Sequence, residues 1–521
     1  MPDAFPTEHC FAALPADYDE VFLVDAAGKK QRQLLWGDWL WIDPVQPDTD
    51  PTWRHIVWAP SNPEKTAHWR VRREHTVDSR PLEVVFVDVG QGDGCVVITP
   101  ERDHLERVIV IDAGLGPHML EFLEGRFGAH KKGFPFHAAV VTHPDEDHYG
   151  GFGPIFAANA GRDADKKLHF DILYHSGLVE RAVGGTFEKV GGVVRDAAVG
   201  ESYCEQLVTD DAGMRAAFAP PPKNYSYPNM IRDAIDHGGV DRFEILSTLH
   251  GEFEDSKTWM PDFAPSSDRD YTIEVLAPWV EPGGATGRRL RRLGDYGKTK
   301  NGHSIILKLC YKDFRILFGG DLNAPAERFL IQQYGGAPSW PSDPVKKEEM
   351  LARARPHFRA EVMKACHHGS SDVTDEFLES VNPAAFVISS GDEEGHVHPR
   401  PDLLGRLGKF GRGDAPVLLS TELQRSTRDR EDAKLVTELK KNIAKQLVAP
   451  TPEARKAFET EIDKAIATLG GSNVDVDGAI YVKTDGKRLI CAFKKETGSA
   501  TKKWFYFEYA VIDGKLVLRP R

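Results

Sequence analysis

The 521-residue chain has no apolar run near the roughly 20 residues that a membrane-crossing helix takes. No basic segment followed by an apolar one opens it, so no signal peptide is expected. Cysteine is scarce. Cys10, Cys95, Cys204, Cys310, Cys366 and Cys491 show no pair spacing and several sit in strand-like runs, which reads as reduced, buried thiols in a cytoplasmic protein. An excess of positive charge is missing too: a net charge of −13 argues against coating nucleic acid through overall charge, but leaves room for a local basic groove. Internal repeats and low-complexity tracts are absent. What remains is an ordinary globular composition, 41% hydrophobic and 28% charged, at a length that predicts two or three units.

Residues 1–80 are expected to form the first unit. "VFLVDAAGKKQRQLLWGDWLWIDP" and "WRHIVWAP" alternate apolar and polar residues around Gly and Asp turns, the pattern of short antiparallel strands. This tryptophan-rich stretch suggests a compact β-rich unit, similar to bacterial SH3-like modules, that either recognises a partner or packs on the main domain. From residue 81 the texture changes. "LEVVFVDVGQGDGCVVITP" reads as strand, glycine-rich turn and strand; "RVIVIDAG" ends in Asp112 and Gly114, and "HAAVVTH" ends at His143. Strands that end in Asp, Gly and His place polar groups on one sheet edge, where sites are built. Residues 155–270 are less regular and read as a large insertion. Leu435, Leu439, Ile443 and Leu447 recur at helical spacing, predicting a helical pair over about 424–471 whose second helix opens at Pro452 and closes at Gly470 and Gly471. A β-rich tail follows.

"THPDEDHYGG" carries His143, Asp145, Asp147 and His148 on a tight loop after a strand. Two imidazoles and two carboxylates aimed at one point form a ligand set for divalent transition metals; a polar loop capping a helix is the plainer alternative. "ILFGGDL" ends another strand in Asp321, and "VMKACHHGSSD" a third in His367 and His368. Three such strand ends favour a shared centre. "GRRLRRLGDYGKTKNGH" places Arg288, Arg289, Arg291 and Arg292 just before His303, either as a solvated loop or as a contact for a polyanion.

Taken together, "FVDVGQGDGCVV", "VIDAG", "THPDEDHYGG", "NGHSIILKL", "RILFGGDL", "KACHHGSSD", "FVISSG", "GHVHP" and "DGAIYVKTDG" resemble the metallo-β-lactamase superfamily. Within it they resemble the branch typified by the hydrolase domain of the DNA-uptake protein ComEC, here without the membrane channel. The resemblance runs from about residue 82 to about 490. It implies an α/β fold, a four-layer αββα sandwich over residues 81–521, with a binuclear site on one edge. It further implies that His143 and Asp145 bind one metal, that Asp147 and His148 bind the other, and that Asp321 bridges both. His368 completes the second metal, with His367 as the alternative. The last ligand of the first metal is His303, with Asn301 or no protein ligand as alternatives. His396 and His398 in "GHVHP" cap the helix near Pro401, or else His396 contacts substrate phosphate and His398 donates a proton to the leaving group. Asp88 and Asp112 are expected behind the ligands, with Asp112 orienting a ligand histidine.

Two divalent cations, Zn2+ or Mn2+, would lower the pKa of a bridging water and neutralise the charge of an in-line displacement, with Asp147 orienting the nucleophile. Asp145, where the commoner pattern has histidine, adds an anionic oxygen and favours harder ions. The expectation is a cytoplasmic, metal-dependent phosphodiesterase or nuclease acting on DNA. The fold itself does not choose the substrate. Hydrolysis of a small phosphodiester or ester is the alternative among enzymes. Outside them, the alternative is a partner-binding or regulatory protein with an accessory metal site, docking through the N-terminal unit or the helical pair.

Overall fold

A computed structural model describes the chain except for residues 1–5, 17–19, 47–48, 102–104, 128–134, 219–225, 392–397, 414, 422–427, 470–477, 496, 514 and 520–521. Two β-sheets pack face to face at its centre. The first has ten strands, in the spatial order Val240–Ile245, His169–His175, Pro135–Val141, Val108–Ala113, Gly94–Ile98, Leu82–Phe86, Ile480–Thr484, Arg488–Lys494, Trp504–Ile512 and Lys515–Leu518. The second has eight, in the order Glu252–Glu254, Lys257–Trp259, Tyr271–Ala277, Ile306–Tyr311, Phe314–Phe318, Val362–Lys364, Ala385–Ile388 and Val417–Ser420. Pairing is parallel from Val108–Ala113 outward in the first sheet and from Phe314–Phe318 outward in the second. Parallel pairs require crossover connections, which are usually helical.

Alternation along the strands builds the layers. Val84, Phe86, Val97, Ile109 and Ile111 turn inward onto Ile273, Leu307, Ile316 and Val387 of the second sheet. Val85, Val96 and Val110 turn outward onto Met119, Leu123, Phe156 and Ile231 of the helices His118–Phe127, Phe152–Ala157 and Ser226–Asp236. On the far side, Leu317, Met363 and Phe386 meet Leu330, Met350, Leu378 and Leu403 from Ala324–Tyr334, Pro344–Phe358, Asp375–Val381 and Pro401–Phe410. The order is helix, sheet, sheet, helix.

Residues 155–270 do more than interrupt this frame, because His169–His175 and Val240–Ile245 are strands of the first sheet. Their apolar signal is diluted by Asp171, Asp241 and Arg242 at their exposed starts. Residues 9–77 form a separate seven-stranded antiparallel sheet around Cys10, Leu23, Leu40, Ile56 and Val71. It is fastened to the end of the chain: Leu35 and Trp36 pack on Ile490, Trp504 and Tyr506, and Lys483 Nζ donates to the Trp36 carbonyl at 2.7 Å. The basic stretch forms a strand, Arg288–Arg291, in a four-stranded sheet with Val194–Asp196, Glu201–Cys204 and Glu281–Pro282. Arg428–Val448 and Pro452–Leu469 pack on each other and leave Ile443 and Leu447 40% and 75% exposed, so these two members of the apolar stripe face solvent. No disulfide joins the cysteines among the described residues. No helix among the described residues is long and apolar enough to cross a membrane.

A buried carboxyl joins two of the outer helices. Glu327, in Ala324–Tyr334, accepts hydrogen bonds from the backbone N–H of Thr374 and, at 2.7 Å, from its hydroxyl, at the start of Asp375–Val381. Burial pushes this carboxyl up to about 8. The folded chain therefore keeps the proton while the unfolded chain ionises, and stability falls as pH rises between the unfolded and folded values. Glu327→Gln removes that dependence. Urea denaturation should show the variant gaining about 1–3 kcal/mol on the wild type between pH 5 and pH 8; a difference that stays constant with pH would contradict this.

Candidate metal centre

The parallel strands of both sheets end at one edge, the place where open α/β sheets hold ligands. From the first sheet, Val108–Ala113 brings Asp112, and Pro135–Val141 runs into Thr142 and the loop 143–148. From the second, Phe314–Phe318 leads through Gly319 and Gly320 to Asp321, and Val362–Lys364 leads to the turn Cys366–Gly369 with His367 and His368. The edges are stitched together: Ile305 N donates to the Thr142 carbonyl and Ser389 Oγ to the Gly92 carbonyl, each at 3.0 Å. Asp112, His367 and His368 have left-handed backbone, with φ of 54°, 51° and 52°. Such backbone costs about 1–2 kcal/mol per residue and is a mark of functional turns. Gly92, at φ 102°, is required as glycine, since a Cβ there would lie 1.8 Å from the Asp147 carbonyl oxygen.

His148 Nε2 and His368 Nε2 lie 3.2 Å apart. Asp321 reaches both, with Oδ1 3.2 Å from His148 Nε2 and Oδ2 3.3 Å from His368 Nε2, and Asp147 Oδ2 is 3.4 Å from His368 Nε2. Four donors placed tetrahedrally around an ion at bonds of about 2.0 Å would stand about 3.3 Å apart. His148, His368 and Asp321 therefore fit one divalent ion, with Asp93 the other carboxylate of the buried cluster and Asp147, whose Oδ1 is 4.0 Å from His148 Nε2, at its margin. The outer ring nitrogens are held from behind. Asp112 Oδ2 is 2.8 Å from His148 Nδ1, and Asp112 itself accepts from Thr142 N (2.8 Å) and Oγ1 (2.7 Å). His368 Nδ1 faces Asp93 Oδ1 at 3.1 Å and the Ser389 carbonyl at 3.2 Å. A carboxylate behind a histidine fixes its tautomer and turns the other nitrogen toward the metal. Asp321 Oδ1 and His143 Nε2 are buried yet make no hydrogen bond among the described residues, as expected of atoms arranged for a cation.

Burial alone would hold these imidazoles down and these carboxyls up, but mutual attraction reverses both. Asp321 and Asp112 keep His148 well above its ordinary value. His368 and His148 keep Asp321 well below its own. The hydrogen bond to His368, with the charges of His148 and His368, brings Asp147 down to about 2. The carboxylates are ionised at neutral pH, the form that binds cations, while His148 and His368 must release a proton for their Nε2 atoms to bind a metal.

Of the residues singled out from the sequence, His143, Asp145, Asp147, His148, Asp321 and His368 meet at this edge. His143 Nε2 is 3.4 Å from Asp145 Oδ2 and 4.0 Å from Asp321 Oδ2. His367 Nε2 lies 3.8 Å from Asp321 Oδ2 on a more open side. His303 does not join them. It caps the C-terminus of the helix Tyr296–Gly302, its Nε2 bonds the Arg291 carbonyl at 2.7 Å, and burial pushes it down to about 4. Asn301 and Ser304 reach the site from that loop instead. The Asn301 amide, turned so that its nitrogen faces both acceptors, donates to Asp145 Oδ2 at 2.9 Å and to the Gly297 carbonyl at 2.8 Å, and Ser304 Oγ sits 3.3 Å from His143 Nδ1. The His398 ring stands 6.1 Å from that of His367, and His396 lies outside the described residues. Asp88 Oδ1 accepts from Gly90 N at 3.2 Å in its turn.

The arginines are largely committed elsewhere. Arg289 pairs with Asp196 at 2.7 Å, Arg291 with Glu281 at 2.6 Å, and Arg292 Nε donates to the Gly294 carbonyl at 2.6 Å. Arg288 and Arg292 keep exposed side chains. Sequence reasoning passed over Asp93 and Lys364, and took Lys300 only as one charge of the basic stretch 287–303. Lys364 Nζ pairs with Asp93 and donates to the Gly320 carbonyl at 3.0 Å, and Lys300 Nζ pairs with Asp145 and Glu180. Asp93 had a signal of the same kind as Asp112, a carboxylate beside glycine at a strand end.

Residues 95–160 match the metallo-beta-lactamase superfamily. The matched stretch contains Asp112 and the loop 143–148, whereas Asp93, Asp321 and His368 lie outside it. A search of curated proteins finds no match to the chain. A metallo-beta-lactamase superfamily domain with a buried His/Asp cluster has the make-up of a metal-dependent hydrolase. Asp112 touches the centre only through His148, so Asp112→Asn should preserve the circular dichroism spectrum and weaken Zn2+ binding about 10- to 100-fold, measured by competition with a chromophoric chelator. Unchanged affinity would make Asp112 a turn residue alone.

Proposed function

We propose that the protein is a metal-dependent phosphodiesterase whose substrate is DNA. The observation that carries this reading is the oxygen-rich donor set: Asp145, Asp147 and Asp321 stand beside the imidazoles of His143, His148 and His368. Anionic oxygen donors favour harder ions such as Mn2+ alongside Zn2+. The likeness of "FVDVGQGDGCVV", "THPDEDHYGG" and "KACHHGSSD" to the ComEC hydrolase domain supports DNA as the substrate.

A divalent ion bound here would supply Lewis acidity and an activated water for in-line attack on phosphorus. The chain's own groups complete the chemistry. Asp147, with its side chain 23% exposed, would orient the attacking water. His367, 28% exposed, and His398 beside it are the groups able to protonate the leaving oxygen.

A second reading, hydrolysis of a small phosphodiester, is favoured by one finding: Arg289 and Arg291 are neutralised by Asp196 and Glu281, which removes much of the charge a polyanion would use. Asp145→Ala and Asp321→Ala should each lower Mn2+-dependent DNA cleavage at least about 100-fold without changing the circular dichroism spectrum. Wild-type protein that hydrolyses bis(p-nitrophenyl) phosphate but cuts neither single- nor double-stranded DNA would establish the second reading. Reversing the exposed Arg288 and Arg292 to Glu should weaken DNA binding and flatten its salt dependence by about two contacts, while turnover of the small diester is unchanged. DNA binding that is indifferent to this reversal would leave both arginines outside the interface.

A further inference from the structure

We infer that this centre holds one divalent ion tightly, and that the ammonium of Lys300 stands in for a second ion in the His143–Asp145 half. The inference rests on reading this edge as a metal centre and does not depend on which substrate is cleaved.

The two halves of the edge are unequal. In one, His148 Nε2 and His368 Nε2 are 3.2 Å apart with Asp321 3.2 and 3.3 Å from them. Asp147 stands 3.4 Å from His368 Nε2 and 4.0 Å from His148 Nε2, and both histidines are held from behind by a carboxylate. In the other, His143 Nε2 has Asp145 Oδ2 at 3.4 Å, but Asp321 Oδ2 only at 4.0 Å, and His303 has turned away to the Arg291 carbonyl. Both oxygens of Asp145 already receive donors. Lys300 Nζ pairs with Oδ1, and the Asn301 amide, turned so that its nitrogen faces both acceptors, donates to Oδ2 at 2.9 Å and to the Gly297 carbonyl at 2.8 Å. A resident set of two metals of equal strength does not fit this half.

Lys300 is built into the site. Its side chain is 9% exposed and springs from the last turn of Tyr296–Gly302, a helix capped at its start by Asp295. Nζ also donates to Glu180 Oε1 at 3.0 Å and to the Pro144 carbonyl at 3.4 Å, and Glu180 Oε1 is fixed in turn by the Tyr296 hydroxyl at 2.6 Å. A buried ammonium persists only when it is paired, and this one is paired on two sides. Lys364 does not play the same part in the other half: it pairs with Asp93, behind His368, and stays 3.9 Å from Asp321 Oδ1.

A divalent ion on His143 and Asp145 would stand beside this ammonium, and like charges in a site shielded from water repel strongly. The ammonium supplies a compact positive charge in place of that ion, held there by Asp145, Glu180 and the Pro144 carbonyl.

The test is a metal count on the full-length chain, stripped of metal and then titrated with MnCl2 alone in a calorimeter, with elemental analysis after desalting. The wild type should retain one equivalent. Lys300→Met should retain two, the second bound at least 100-fold more tightly than in the wild type, and Lys300→Gln provides the same test if the Met variant does not fold. Asp145→Asn should keep the single tight equivalent, and Asp321→Asn should lose it. Two equally tight equivalents in the wild type, or one in both Lys300 variants, would overturn the inference and leave the metal-centre reading standing. No retained metal in the wild type would overturn both.

Discussion

Two imidazole nitrogens from different sheets, His148 Nε2 and His368 Nε2, approach to 3.2 Å, and the fold is organised around making that approach possible. Each histidine leaves its sheet just beyond a parallel strand, so both sheets must end at the same edge and at the same height. The shared core of Val84, Phe86, Ile109, Ile273, Leu307 and Ile316 sets their separation. The bonds from Ile305 to Thr142 and from Ser389 to Gly92 then lock the edges in register. Asp321, reaching both rings, is the carboxylate that makes two sheet edges into one site.

Around that contact the charges alternate outward in shells. The imidazoles are backed by Asp112 and Asp93; Asp112 is held by Thr142, and Asp93 by Lys364. Such burial would be destabilising for any of these groups alone, and it is tolerated because each finds an opposite charge or a hydrogen bond. Asp112 and His368 also occupy left-handed backbone, so the centre combines local strain with a dense network that keeps the strained turns in place. This is the preorganisation that a metal-dependent hydrolase needs, donors already aimed by the surrounding fold.

Much of the site was legible because its residues follow apolar runs. The loop 143–148, Asp321 and His368 each end a strand whose period is plain in the sequence, and a strand end is a position as well as a residue type. His303 also precedes a strand, but its place as a helix C-cap turned it toward the Arg291 carbonyl, a choice that depends on a partner 12 residues away. The arginines show the same limit. Their charges are visible in the sequence, whereas Asp196 and Glu281, which neutralise two of them, join them only through the small four-stranded sheet. Lys300 and Asp145 are separated by 155 positions, so their pairing leaves no local trace. The strands His169–His175 and Val240–Ile245 escaped notice because polar residues at their exposed starts broke the apolar pattern.

The central claim is that His148, His368 and Asp321 hold a divalent ion. Anomalous diffraction at the manganese edge, from crystals grown with Mn2+, tests it most directly. The account predicts a peak about 2.0–2.2 Å from both Nε2 atoms and from a carboxylate oxygen of Asp321. Clear density for the protein with no anomalous peak between His148 and His368, or with manganese bound elsewhere in the domain, would contradict it.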